Sequence, residues 1–373
     1  MDPNVIKLAM GAAGAGGAEP NLYAWGFNAQ GQLGLGDTTN RSSPVQVGAL
    51  ATWSNIACGT NHAIATKTDG TLWAWGYNGL GQLGLGDTTR RSSPVQVGSL
   101  TTWSKVACGA NHTIATKTDG TLWTWGWNNQ GQLGLGDTTN RSSPVQVGAL
   151  TTWSKIACGV VHTLAIKTDG TLWAWGHNYA GPLGLGDTTN RSSPVQVGAL
   201  TTWNNIECGS YNSFAIKTDG TMWSWGNNYF GNLGLGDSGS GTDRSSPVQV
   251  GALTTWSKIA GGNSHTVATK TDGTLWAIGG FNSTGPLGLG DTINRSSPVQ
   301  IGALTTWSNI SGGGEHTLAT KTDGTLWTWG RNNTGQLGLG NTTNRLSPVQ
   351  VGALTTWSNI SGGRYHTIAT TEE

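Results

Sequence analysis

The stretch WAWGYNGLGQLGLGDTTRRSSPVQVGSLTTWSKVACGANHTIATKTDG, residues 73–120, decides the fold, because it returns almost letter for letter along the chain. Its WG tryptophan stands at Trp25, Trp75, Trp125, Trp175 and Trp225, and Ile278 and Trp329 fill the last two equivalent places. The first four intervals are 50 residues each. The fifth is 53, where DSGSGTDR replaces DTTNR, and the sixth is 51, where Gly280 is added. A fixed period of this size belongs to solenoids and propellers, whose units cannot bury their own faces alone.

Each unit reads as four strands. In the copy that begins at Trp53, WSNIAC (53–58) is apolar and ends in small residues, and HAIATK (62–67) alternates. TDG (68–70) has the Asp and Gly of a hairpin turn. TLWAW (71–75) is aromatic and β-prone. A long turn-filled segment leads to PVQV (94–97), a strand opened by Pro94 and suited to an outer edge. Ala57, Cys58 and Gly59 suit a crowded place near a central axis. Seven such units predict an all-β, seven-bladed propeller. The chain begins with a lone third strand, LYAWG (22–26), and ends with a first and a second, WSNIS (357–361) and HTIAT (366–370). These complete one composite blade, so the termini close the ring and leave no open edge.

The propeller spans residues 21–373, and residues 1–20 stand outside the repeat. There Asp2-Pro3 can cap a short helix through VIKLAM, and GAAGAGGA follows as a flexible connector. Val5, Ile6, Leu8 and Met10 are the apolar side chains with which this arm would anchor to another protein. The arm lacks the basic start of a secretory signal.

Charged residues are 10% of the 373, against about 25% in an average soluble domain, and the net charge is +1. With no Lys/Arg cluster, the sequence carries no electrostatic footprint for nucleic acid or an anionic membrane. No apolar stretch approaches the ~20 residues of a membrane-spanning helix. Cys58, Cys108, Cys158 and Cys208 share one repeat column, which Gly261, Gly312 and Gly362 continue. They read as buried free thiols rather than as a disulfide framework.

The combination WGxNxxGQLGLGD, SPxxV and CGxxHT resembles the regulator of chromosome condensation repeat family over residues 21–373. The resemblance implies a seven-bladed propeller and does not imply one function. Relatives include an exchange factor for a small GTPase, a plant ultraviolet photoreceptor and secreted bacterial inhibitors of β-lactamase. The photoreceptor carries Gly-Trp-Arg-His-Thr in the turn where this chain has GTNHA (59–63), GANHT (109–113), GVVHT (159–163) or GRYHT (363–367), none with a tryptophan. The basic chromatin-binding tail and the large single insertion expected of the exchange factor are also missing here.

The repeated polar columns read as structural. His62, His112, His162, His265, His316 and His366 share a column with Asn212. Residues spread around a ring cannot all approach one ion to ~2 Å, so backbone-bonded histidines are expected and no metal or other cofactor. GQLGLGD lacks the Lys and Ser/Thr of a phosphate loop and reads as turn geometry. Asp37 and Arg41, with their copies, read as loop-pinning pairs. An active site should break the repeat, and the titratable singletons His177, Glu207 and Glu315 form no nucleophile–base pair, so no enzyme is predicted.

The columns that differ between copies are the turn after each first strand and the loop after each third strand. Because a meander alternates direction, both lie on one face of the disc. The opposite face carries KTDG turns and VGALTTW connections that hardly change, which predicts variation confined to one side. The candidate binding face comprises Phe27, Tyr77, Trp127, His177, Tyr179, Tyr211, Tyr229, Phe230, Phe281, Arg331, Arg364 and Tyr365. Rigid aromatics among Asn, Ser and Gly make a paratope-like palette. Drift in surface loops after duplication should instead scatter on both faces and favour small polar residues. The sequence therefore predicts a non-enzymatic recognition propeller. The leading expectation is a phage virion component, docked to another virion protein by residues 1–20 and showing its variable face to a host receptor or glycan. The alternative is a bacterial protein-binding module or secreted inhibitor, extracellular or on the cell surface. A small-GTPase regulator stands third.

Overall fold

In the computed structural model, the structure describes residues 20–49 and 52–372. Val5, Ile6, Leu8 and Met10, with the arm they belong to, lie outside the described residues. The chain opens with β1 (Leu22–Gly26) and β2 (Arg41–Gln46). The first complete blade is β3 (Trp53–Cys58), β4 (His62–Lys67), β5 (Leu72–Gly76) and β6 (Arg91–Gln96). Blades two to six repeat it as β7–β10 (103–146), β11–β14 (153–196), β15–β18 (203–249), β19–β22 (256–300) and β23–β26 (307–350). The chain closes with β27 (Trp357–Gly362) and β28 (His366–Thr371).

Every sheet has four antiparallel strands, in the order β3-β4-β5-β6 for blade one. The seventh has the order β2-β1-β28-β27, so the two ends of the chain share a blade. There β1 pairs with β28 from Leu22↔Thr370 to Gly26↔His366.

The fourth strand differs from its expected form. It starts at Arg91, and Pro94 lies inside it rather than at its opening. The register passes from Ala74↔Val95 to Gly76↔Arg91, so Ser92, Ser93 and Pro94 bulge opposite Trp75. At a bulge on an edge strand no ladder bond is asked of the proline nitrogen.

The core lies between blades. Leu22, Ala24 and Ile368 of blade seven pack with Trp53, Ala63 and Trp75 of blade one, and this cluster recurs around the ring. Trp75 is fully buried. Its indole N–H donates to the Gln32 carbonyl of the preceding blade at 2.9 Å, and its ring meets Trp53 edge-on at 5.9 Å. Losing such an indole costs about 3–5 kcal/mol through the cavity it leaves. On the constant face, the Lys67 ammonium lies 4.2 Å from the Trp73 ring. That stacking explains why the lysine of KTDG repeats with the tryptophan.

Candidate functional site

Short backbone bonds fuse the two variable columns into one surface. The amide of Tyr77 donates to Asn61 O at 2.8 Å, and Trp127 to Asn111 O, His177 to Val161 O and Arg331 to Glu315 O do likewise. Gly76 permits this approach: its φ is +103°, and a Cβ there would lie 2.5 Å from Asn61 O. Beneath the loop, buried Asn78 accepts from Leu83 N at 2.9 Å and donates to the carbonyls of Asp87 and Thr89. Asp87 then pairs with Arg91 at 2.6 Å. That exposed pair contributes little energy but fixes the loop. The variable side chains thus stand on rigid bases.

The face divides into two sectors. In the aromatic sector, the His177 ring lies 6.5 Å from Tyr179 and 5.7 Å from Tyr211. Next to it, Phe230 lies 4.9 Å from Tyr229 and 5.8 Å from Phe281. Tyr179 is 82% exposed, and Tyr211, Tyr229 and Phe281 are exposed too. In the cationic sector, the guanidinium groups of Arg331 and Arg364 lie 5.0 and 5.1 Å from the Tyr365 ring, and Arg331 also bonds Glu315 at 3.0 Å. Phe27, Tyr77, Trp127, His177, Phe230, Arg331 and Tyr365 are half-buried rather than fully open. Tyr77, for example, folds over Gly79, where a Cβ would meet its hydroxyl at 2.3 Å.

The histidine column is structural, but for five of its six members the contact that recurs is to a hydroxyl rather than to backbone. His62 Nε2 lies 3.2 Å from the Thr113 hydroxyl of the next blade, and His112–Thr163, His162–Ser213, His265–Thr317 and His316–Thr367 repeat the contact. Burial pushes five of the six imidazoles down to about 3, and His265 to about 4, so they are neutral. The cysteines are free. Cys208 is buried, but Cys58, Cys108 and Cys158 are half-buried, because their column forms the wall of a central channel. Desolvation raises all four thiols, Cys58 to about 12, which makes them poor nucleophiles. Among the described residues no cluster of His, Cys, Asp and Glu is arranged to hold a metal, and no helix is long and apolar enough to cross a membrane.

One column escaped the sequence reading. The third residue of each first strand is either Asn or Lys: Asn55, Lys105, Lys155, Asn205, Lys258, Asn309 and Asn359. These side chains ring the channel at the mouth away from the variable face. Variation is therefore not confined to one side of the disc. Most of them reach the next blade's backbone, as in Asn55 Nδ2 to Ser104 O at 2.8 Å and Lys105 Nζ to Ser154 O at 2.6 Å.

The RCC1-like domain matches residues 6–251, and the regulator of chromosome condensation (RCC1) repeat matches residues 272–320 and 323–370. The chain belongs to the RCC1 repeat family. Two curated relatives match this RCC1-like propeller in part. The ultraviolet-B receptor UVR8 of Arabidopsis thaliana is 36% identical over 96 residues, 25% of this chain and 22% of that protein. The X-linked retinitis pigmentosa GTPase regulator homolog of Caenorhabditis elegans is 36% identical over 75 residues, 19% of this chain and 5% of that protein. The matched stretches thus span under a quarter of the length of either relative. Among solved structures, human WBSCR16 superposes with a TM-score of 0.85 at 21% identity, covering 95% of this chain and 100% of that one. Prp20p of Saccharomyces cerevisiae gives 0.83 at 21% identity, covering 95% and 92%. At these identities the RCC1-like propeller shares their fold, and its own face carries the question of function.

Proposed function

We propose that this RCC1-like propeller is a non-catalytic recognition module that holds a receptor or glycan on its variable face. The observation that carries the reading is the aromatic sector: exposed Tyr179, Tyr211, Tyr229 and Phe281 stand together on rigid loops where the copies differ. Such rings stack on the apolar faces of sugars, while neighbouring Asn and Ser side chains bond hydroxyls. The same palette anchors protein partners. A phage virion setting, with residues 1–20 docked to a particle protein, is part of this proposal and rests on sequence alone. A second reading, regulation of a small GTPase, is supported by the name of the Caenorhabditis elegans relative, a GTPase regulator homolog that matches 19% of this chain. The test is binding of the full chain to a glycan array, to intact bacterial cells and to purified small GTPases. Tyr179→Ala and Tyr229→Ala should abolish glycan or cell binding without lowering the melting temperature. Unchanged binding by both variants, or binding only to a GTPase, overturns the receptor reading.

A further inference from the structure

The channel mouth on the constant face is walled by the Ile56-type apolar column and rimmed by the Asn/Lys column, around a cavity of about 450 Å³. Lys105, Lys155 and Lys258 bring three ammonium groups to this rim, and none forms an ion pair among the described residues. Their hydrogen bonds go to neutral acceptors: Ser154 O for Lys105, Asn204 O and Oδ1 for Lys155, and Ser308 O with Asn309 Oδ1 for Lys258. An ammonium has three donors, so donors remain on all three lysines. The Asn205 amide nitrogen on the same rim has no acceptor among the described residues, although its Oδ1 accepts from Ile206 N. Like charges gathered beside an apolar wall repel one another more than in open water. Burial, then the charge of Lys105, holds Lys155 below the usual lysine range, and burial does the same to Lys258. Among the described residues Glu207 is the one carboxyl lining this cavity. Although its side chain is partly accessible, burial pushes it up to about 8, so it is neutral at pH 7 and does not offset the three cations.

We propose that this mouth is a binding site for a small oxyanion of the phosphate class, clasped by Lys105, Lys155, Lys258 and the amide of Asn205. The anion would accept the unused donors and remove the repulsion among the ammonium groups. The site lies at the opposite end of the channel from the variable face and does not depend on what that face binds.

The test is titration calorimetry of the full chain with inorganic phosphate at low ionic strength, and with methyl phosphate in parallel. The informative variant is Lys105→Asn/Lys155→Asn/Lys258→Asn. Asn55, Asn309 and Asn359 already stand in this column and make the same bond to the next blade, so the substitution removes charge and keeps the bond between blades. Saturable one-to-one binding is expected, weakening with added salt and by at least about tenfold in the triple variant. Should that variant melt early, Lys105→Asn alone, at the exposed lysine, is read for a partial loss. Tighter binding of methyl phosphate assigns the site to a monoester, and tighter inorganic phosphate assigns it to the free ion. Absence of saturable binding of both, or equal affinity in wild type and lysine variants, overturns the proposal.

Discussion

The Nε2 of His62 lies 3.2 Å from the hydroxyl of Thr113 in the next blade, and this contact fixes which nitrogen of the neutral imidazole carries the hydrogen. Thr113 spends its own hydrogen on Gln82 O at 2.9 Å, the carbonyl that also accepts the Trp125 indole N–H. The hydroxyl can then only accept from the imidazole, which fixes the neutral tautomer with hydrogen on Nε2.

Acid should unfold the propeller steeply. Six histidines have folded values depressed to about 3–4 against an ordinary 6.5. Their stabilisation is complete above pH 6.5 and is lost as pH falls through the folded values. With up to six protons taken up on unfolding, stability should fall by about 8 kcal/mol per pH unit near pH 5. Urea melts between pH 7 and 4.5 measure this slope. His112→Asn, which copies Asn212, should lower it by one proton.

Glu207 should act with the opposite sign. Its value is raised from 4.5 to about 8, so its contribution is intact below pH 4.5 and is lost as pH rises toward 8. Glu207→Ala copies the alanine of four other blades. It should stabilise the protein at pH 8–9 and make no difference at pH 4.5, read as melting temperatures across that range.

The histidine–hydroxyl contact between blades is missing where blade seven meets blade one. Ala63 stands where blades two and three carry Thr113 and Thr163, and both ring nitrogens of His366 are buried without a partner among the described residues. Ala63→Thr should supply the hydroxyl and stabilise by about 1 kcal/mol, whereas Thr113→Ala should destabilise by about 1–3 kcal/mol. Thermal melts of the two single variants decide it.

The interface between blades four and five should open first. There Asn212 replaces histidine and Ile278 replaces tryptophan, and Asn212 Oδ1 and Thr266 Oγ1 are buried without partners among the described residues. Fewer cross-blade bonds mean easier local opening. Amide hydrogen exchange should be fastest along β16 (Asn212–Lys217) and β20 (His265–Lys270) among the second strands. Uniform protection around the ring would contradict this.

Closure carries its own prediction. Deleting residues 366–373 removes a strand hydrogen-bonded on both sides, to β1 and β27. The truncated chain should lose cooperative melting at the wild-type temperature, and an unchanged melting curve would sink the closure argument.

The period of 50 made the blade count and the composite blade legible, because letter-for-letter repetition places every strand once one is placed. The Asp87–Arg91 pair was legible for the same reason. The start of the fourth strand was not, since Pro94 marks a strand edge equally well from inside a bulge. The partners of His62 were hidden because they lie 51 residues away, in another blade. The Asn/Lys rim was overlooked because Asn and Lys are ordinary at a polar strand position. Only the ring geometry gathers Lys105, Lys155 and Lys258 at one mouth. On the variable face, strand direction placed the residues, but the division into aromatic and guanidinium sectors depends on which blades are neighbours.

A ring closed by β1 and β28 also constrains synthesis. Of the propeller's strands, Leu22–Gly26 leaves the ribosome before the others and waits for His366–Thr371, its inner partner and the last strand of the ring. Throughout translation β1 presents an unpaired edge beside near-identical strands that keep emerging. Each later second strand, such as His112–Lys117, offers it a similar but wrong ladder. Fidelity of assembly therefore rests on small differences between copies. The same near-identity that makes the disc regular makes two nascent chains on one message able to exchange blades.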